Sequence, residues 1–246
     1  MNNIGLLEFF NKAGYDWQQD KEAIKDICFY TKSRVDNNKS SHDFDFAYGM
    51  EQPFILKAIA DKIGANNFFE IGTGRGTASY SVSLSKTVSN ISTIDIVPFY
   101  QKRVEAIGYE QAHVSNSDLR DMIKLPEKNK IKFYERSQFG EVLQDQPKNG
   151  YDLFFIDGNH TDFNVIKEDY LMCKLMSADN AVLVWDDYYP NKFAIKDVVS
   201  SVLNEDRSLR AFLLSSRGHL FGTKPPELKE GMVVMMKGKA YEDLLS

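Results

Sequence analysis

Cysteine is scarce in this chain: only Cys28 and Cys173 occur, far apart. Neither a C-x-x-C pair nor a metal-ligand spacing can be built from them, which excludes a disulfide scaffold and suits two buried thiols in a reducing cytoplasm. A basic excess is also missing. With 30 Lys+Arg against 35 Asp+Glu, a formal charge of -5 and a pI near 5.5, the balance argues against a dedicated nucleic-acid binder, which needs a basic face for phosphate. No stretch reaches the roughly 18 apolar residues of a membrane span, and residues 1–15 lack the basic and then apolar order of a secretory leader. Repeats and low-complexity tracts are absent. These absences lead to the expectation of a soluble, cytoplasmic protein with no nucleic-acid or membrane partner. Its 43% hydrophobic residues are enough to bury a sizeable core.

Two nucleotide signatures are incomplete. Gly72 and Gly74 begin a G-x-G-x-x-G dinucleotide pattern, but Thr77 stands where the third glycine belongs. No Gly-Lys-Ser/Thr ending follows for a triphosphate. What is there is an apolar run, Phe68-Phe69-Glu70-Ile71, opening into Gly72-Thr73-Gly74-Arg75-Gly76-Thr77. The run suits a buried strand, the glycines a sharp turn with backbone N–H groups close to a ligand, and residues 77–88 a helix pointing its N-terminus at that ligand. Glu70 would hold the N–H groups of the turn or reach a ligand's amino group. The spacing Glu70-x-Gly72-x-Gly74-x-Gly76 resembles the first motif of class I methyltransferases that use S-adenosylmethionine.

Taken in order, the apolar spacing predicts a helix over 4–10 and another carrying Ile24, Ile27, Cys28 and Val35. These belong to an N-terminal helical extension, residues 1–50, ahead of a main domain over 51–246. The stretch 36–48 turns polar and then aromatic (Phe44, Phe46, Tyr48), as a loop over a pocket or as packing of the extension onto the domain. A helix over 52–63 with Pro53 in its first turn leads into the strand before the glycines. A second strand, 91–96, brings Asp95 roughly 20 residues beyond the turn, where a carboxylate can accept hydrogen bonds from both ribose hydroxyls. Such an acid serves nicotinamide enzymes and methyltransferases alike. Residues 98–107 read as a helix, 108–130 have no assignable structure, and 131–135 form a third strand. Ser137 follows it, either against an adenine ring or as a simple helix cap.

Residues 151–156 form a nearly continuous apolar run, as in a strand buried on both faces, and deliver Asp157-Gly158-Asn159-His160. After a helix over 162–176, the strand 181–185 ends in Asp186-Asp187. Two successive buried strands thus end in carboxylates at the edge where open α/β sheets bind ligands. Three acids converging there repel one another unless a cation neutralises them, and hard oxygen ligands select Mg²⁺ or a similar ion. A helix over 191–203 and strands over 209–214 and 232–236 complete the chain, joined through Arg217-Gly218-His219 and Pro225-Pro226.

Ile156-Asp157-Gly158-Asn159-His160 with Val184-Trp185-Asp186-Asp187-Tyr188-Tyr189 resembles the metal-dependent O-methyltransferases, most closely the bacterial group that methylates macrolide sugars. The resemblance runs from about residue 52 to 189. It implies an α/β fold, a Rossmann-like doubly wound seven-stranded sheet with a C-terminal antiparallel hairpin. It implies S-adenosylmethionine bound by Glu70, Gly72, Thr73, Gly74, Asp95, Ser137 and Asp157, and Mg²⁺ or a similar divalent cation bound by Asp157, Asp186 and Asp187. The acceptor would be a small-molecule or sugar hydroxyl. Catechol-type relatives carry a lysine base three residues after the first metal acid. His160 stands there, so His160, or Asp157 or Asp187 with a water, would take the proton. His219 and His113 have weaker claims, His42 none, and Tyr48, Tyr188 and Tyr189 would flank the substrate or pack the rim. A homo-oligomer paired through the extension is possible. A nicotinamide-dependent oxidoreductase would share Gly72, Gly74 and Asp95 but leave the three acids unexplained. A non-catalytic nucleoside-binding protein would have no need of them.

Overall fold

The computed structural model describes residues 1–189, 191–222 and 230–246; Pro190, Pro225 and Pro226 lie outside them. The N-terminal segment begins with a strand, Asn2–Gly5 (β1), and a helix, Leu6–Ala13 (α1), which stops where Gly14 adopts a left-handed φ of 67°. A second helix, Lys21–Thr31 (α2), follows. The extension therefore contributes a strand as well as helices, and these run later than expected at the start, from Leu6 rather than Ile4, and stop short of Val35, which lies exposed beyond α2. Helix Gln52–Ile63 (α3) has its proline at the start, as read from the sequence, and is buried from Gln52 to Ala60. Strand Asn67–Ile71 (β2) passes through the glycine turn into Thr77–Ser83 (α4), shorter than predicted. The hydroxyls of Ser81 and Ser83 donate to the carbonyls of Thr77 and Tyr80, competing with the helical ladder near its end.

Strand Asn90–Asp95 (β3) precedes the clearest departure from the sequence reading. The predicted helix over 98–107 is absent. Instead Arg103–Ile107 (β4) and Glu110–Val114 (β5) form a separate antiparallel hairpin, Ile107 opposite Glu110. Its two-residue turn, Gly108-Tyr109, has φ of 51° and 75°, the pair of left-handed residues that a type I′ hairpin turn requires. Next comes Asn116–Met122 (α5), capped reciprocally by Ser115 and Asp118. The remaining elements are Ile131–Glu135 (β6), Phe139–Asp145 (α6), Tyr151–Ile156 (β7), Phe163–Met176 (α7), Ser177–Tyr188 (β8), Ile195–Glu205 (α8), Leu209–Ser215 (β9), Gly231–Lys237 (β10) and Gly238–Leu245 (α9). The Asp162 side chain caps α7 by accepting the N–H groups of Asn164 and Val165.

The main sheet has the order β1-β9-β10-β8-β7-β2-β3-β6. It has eight strands rather than the seven expected, with the antiparallel β10 set between β8 and β9 and β1 laid parallel along the edge of β9. Strand neighbours alternate between two cores. Phe68, Phe155, Val184 and Phe212 face the side of the extension, while Phe69, Ile156, Trp185 and Leu213 face α7 and α8. From β2 the chain winds outward through β3 to β6, then returns to the other side at β7 and β8. The carboxyl ends of β2 and β7 flank that reversal, where a doubly wound sheet opens a crevice. Among the described residues no helix is long and apolar enough to cross a membrane.

Candidate active site

The crevice holds a cavity of about 700 Å³. Of the residues chosen from the sequence, Glu70, Gly72, Thr73, Gly74, Asp95 and Asp157 all line it. Gly72 earns its identity through the protein rather than through a ligand. Its φ is 90°, and a Cβ added there would lie 2.1 Å from the carbonyl oxygen of Asp157. Strand β7 runs beside β2 so closely that the Asp157 N–H donates to the carbonyl of Ile71 at 2.8 Å. The glycine turn and the first acid are therefore one rigid junction.

Glu70 does not hold the N–H groups of the turn. It is 2% exposed, and its Oε2 accepts the hydroxyls of Ser79 (2.6 Å) and Thr93 (2.7 Å). Burial pushes its carboxyl up to about 7, against the lowering pull of those two hydroxyls. The turn is held by Asp95 instead, whose Oδ2 accepts the Gly74 N–H at 2.8 Å and whose Oδ1 accepts the Val97 N–H at 2.9 Å. Asp95 is thus fixed with its carboxylate at the tip of β3. Thr73 shares a 2.6 Å hydroxyl contact with Thr93, tying the turn to the same network. Ser137 is exposed and stands apart from the cavity; its neighbour Arg136 lines it and pairs with the buried Asp169 at 2.6 Å.

The acids at the ends of β7 and β8 separate into two arrangements. Asp157, His160 and Asp187 bring one ligand atom each to within 4.8 Å of one another. His160 Nε2 lies 3.9 Å from Asp157 Oδ1 and 3.7 Å from Asp187 Oδ2. Asp187 reaches this position with a φ of 53°, uncommon for a residue with a side chain. Its other oxygen accepts from Arg217, whose guanidinium also covers the Tyr189 ring. Asp186, 8% exposed, turns to Gln52, whose amide donates to Oδ2 at 2.7 Å. One atom each of Asp157, His160 and Asp187 thus comes together, and Asp186, which the sequence reading grouped with the other two acids, lies beside them with its Oδ2 on Gln52. Burial raises the carboxyls of Asp157 and Asp186, and repulsion raises each further, chiefly from Asp186 at Asp157 and from Asp187 at Asp186. Two carboxylates and an imidazole so placed fit a divalent cation by donor chemistry.

Other candidates stand outside this group. His113 is exposed on β5, and His219, whose pKa burial lowers, keeps an unpartnered buried Nε2 away from the acids' contacts. Tyr188 packs in the core beside α8, while Tyr189 stands next to the acids. Phe44 and Phe46 pack the extension: Phe44 meets Phe29 and Tyr109, and Phe46 stacks on Phe221 at 4.4 Å. The sequence reading missed Gln52, Arg136 and Arg217. Gln52 left one sign, a polar residue opening a helix otherwise apolar enough to be buried.

Residues 69–188 match the model of a family described as a methyltransferase domain. No curated protein matches the chain. Among solved structures, the O-methyltransferase TomG of Streptomyces achromogenes, in complex with SAM, superposes with a TM-score of 0.56 at 16% identity, over 88% of this chain and 89% of that one. An O-methyltransferase from Bacillus cereus in complex with SAH gives 0.55 at 14% identity, over 88% and 90%. The matched segment runs from β2 through β8 and takes in the glycine turn, Asp95, Asp157 and both terminal acids. Residues 69–188 are therefore similar to a methyltransferase domain, and the chain shares the fold of these solved O-methyltransferases.

Proposed function

We propose that the chain transfers a methyl group from S-adenosylmethionine to a hydroxyl oxygen of a small molecule, with a sugar or phenol as the acceptor class. The observation carrying this reading is the junction of Gly72 with Asp157, which joins a nucleoside-sized cavity to the group Asp157, His160 and Asp187 at one sheet edge. Asp95 would receive the ribose hydroxyls, its orientation set by the Gly74 and Val97 N–H groups. Bound in this cavity, the cofactor would supply an electrophilic methyl group beside Asp157. A divalent cation held by Asp157, His160 and Asp187 would supply Lewis acidity toward the acceptor hydroxyl. Gln52 holds one oxygen of Asp186, and Asp186 adds negative charge beside that group. Fixing the acceptor oxygen in line with the methyl group is the protein's main contribution.

A metal-free reading is favoured by one feature, the ion pair of Arg217 with Asp187, which already neutralises one carboxylate. In that case His160 Nε2 would take the hydroxyl proton, with Asp157 and Asp187 orienting the ring. Calorimetry should show binding of S-adenosylhomocysteine and none of NAD, and binding of NAD alone would sink the methyl-transfer reading in favour of a nicotinamide oxidoreductase. A screen of hydroxylated acceptors with labelled cofactor then identifies the product. Transfer abolished by EDTA and restored by Mg²⁺ supports the cation, whereas full activity in EDTA with loss in His160→Ala supports the metal-free reading.

A further inference from the structure

Three cationic side chains line the cavity: Lys32, Arg75 and Arg136. Two are already paired with the protein's own acids. Arg75 donates to the carbonyls of Ala106 (2.6 Å) and Ser33 (2.9 Å) and lies 3.6 Å from Glu105. Arg136 is paired with Asp169. Lys32, half-buried, has no ion pair or side-chain hydrogen bond among the described residues. Its backbone, by contrast, is held firmly. Its own N–H donates to Cys28 at the end of α2, at 2.8 Å. On one side Thr31 is pinned by its hydroxyl to the carbonyl of Ile27. On the other, Ser33 donates to Phe29 and receives the N–H of Gly108 and a guanidinium N–H of Arg75.

The cavity is otherwise acidic, with Glu70, Asp95, Asp157 and Glu168 along its wall. A ligand carrying an amino-acid tail brings one positive and one negative group. The ammonium has several acids to choose from, but only one of the lining cations, Lys32, has no acid paired with it among the described residues. We propose that Lys32 binds the α-carboxylate of the cofactor's amino-acid tail, so that the extension, outside the matched segment 69–188, completes the cofactor site. This assignment rests on the reading of the cavity as an S-adenosylmethionine site. The rival role for Lys32 is a counter-charge to Glu70, Asp157 and Asp186 that never touches the ligand.

Calorimetric titration of the full chain with S-adenosylhomocysteine and with its decarboxylated analogue separates these roles. Lys32→Met should weaken the parent ligand about 10- to 100-fold, the loss of one charge-assisted hydrogen bond. Affinity for the decarboxylated analogue should stay within about twofold, which also shows that the variant is folded, and Lys32→Arg should recover most of the parent affinity. Equal loss for both ligands, or none for either, overturns the assignment while leaving the cofactor reading in place. Failure of the unaltered protein to bind S-adenosylhomocysteine removes both.

Discussion

Glu70 shows how a residue legible in the sequence acquires a different job in the fold. Its place before the glycines marks it as a site residue, yet its partners, Ser79 and Thr93, come from the next helix and strand, and nothing local in the sequence names them. Enclosure there raises its carboxyl from 4.5 to about 7, burial being the largest cause. Between those two values the folded protein holds a proton that the unfolded chain releases, so stability is full below about 4.5 and falls as pH rises through 7. A displacement of that size corresponds to on the order of 3 kcal/mol. Glu70→Gln retains an oxygen to accept both hydroxyls and cannot ionise. Urea unfolding without cofactor should therefore show the variant gaining on the parent protein between pH 5 and pH 8, with other titrating groups cancelling in the comparison. A stability difference that is constant over that range would mean Glu70 does not carry the proton.

At the scale of elements, β2, β7 and β8 were legible because each carries a short apolar run beside an acid, and β3 because Ile91 and Ile94 lead to Asp95. The hairpin of β4 and β5 was not, because its strands are short and half-exposed, and Val104 lies open at 64%. The signal that marks it is Gly108-Tyr109 between two alternating stretches, a turn cue rather than a hydrophobic one. The glycines between β2 and α4 also differ more than their spacing suggests. At Gly72 an added Cβ meets only backbone, at 2.1, 2.5 and 2.9 Å, and backbone cannot move aside. Gly74 has a φ of 53° but nothing within 4 Å of the same atom. Gly72→Ala should therefore cost about 2–5 kcal/mol from backbone strain plus overpacking, and Gly74→Ala about 1 kcal/mol. Urea unfolding of the two variants measures this; equal costs would show that Asp157 does not press on the turn.

The whole molecule shows why the extension was the hardest part to place. A helical apolar face can be read from the spacing of Ile24, Ile27 and Cys28, but not what covers it. In the structure Leu6, Phe9, Phe10, Ile24 and Ile27 are 0–2% exposed within the same core as Phe68 and Phe155 of the sheet. Strand β1 pairs along β9 from Asn2 with Phe212 to Gly5 with Ser215. Burial shared this way predicts that extension and sheet unfold together, and the two tryptophans report on each part. Trp17 sits edge-on to Phe54 (5.9 Å) and Phe221 (5.7 Å), while Trp185, 1% exposed, lies in β8. Under tryptophan-selective excitation, Trp185→Phe reports on Trp17 and Trp17→Phe on Trp185. Within each variant the fluorescence transition in urea should coincide with that of far-ultraviolet circular dichroism, the mark of two-state unfolding. If Trp17 instead loses its environment at lower urea than the dichroism of the same protein, residues 1–50 undock as a separate unit, and the extension then meets the cofactor site only while docked.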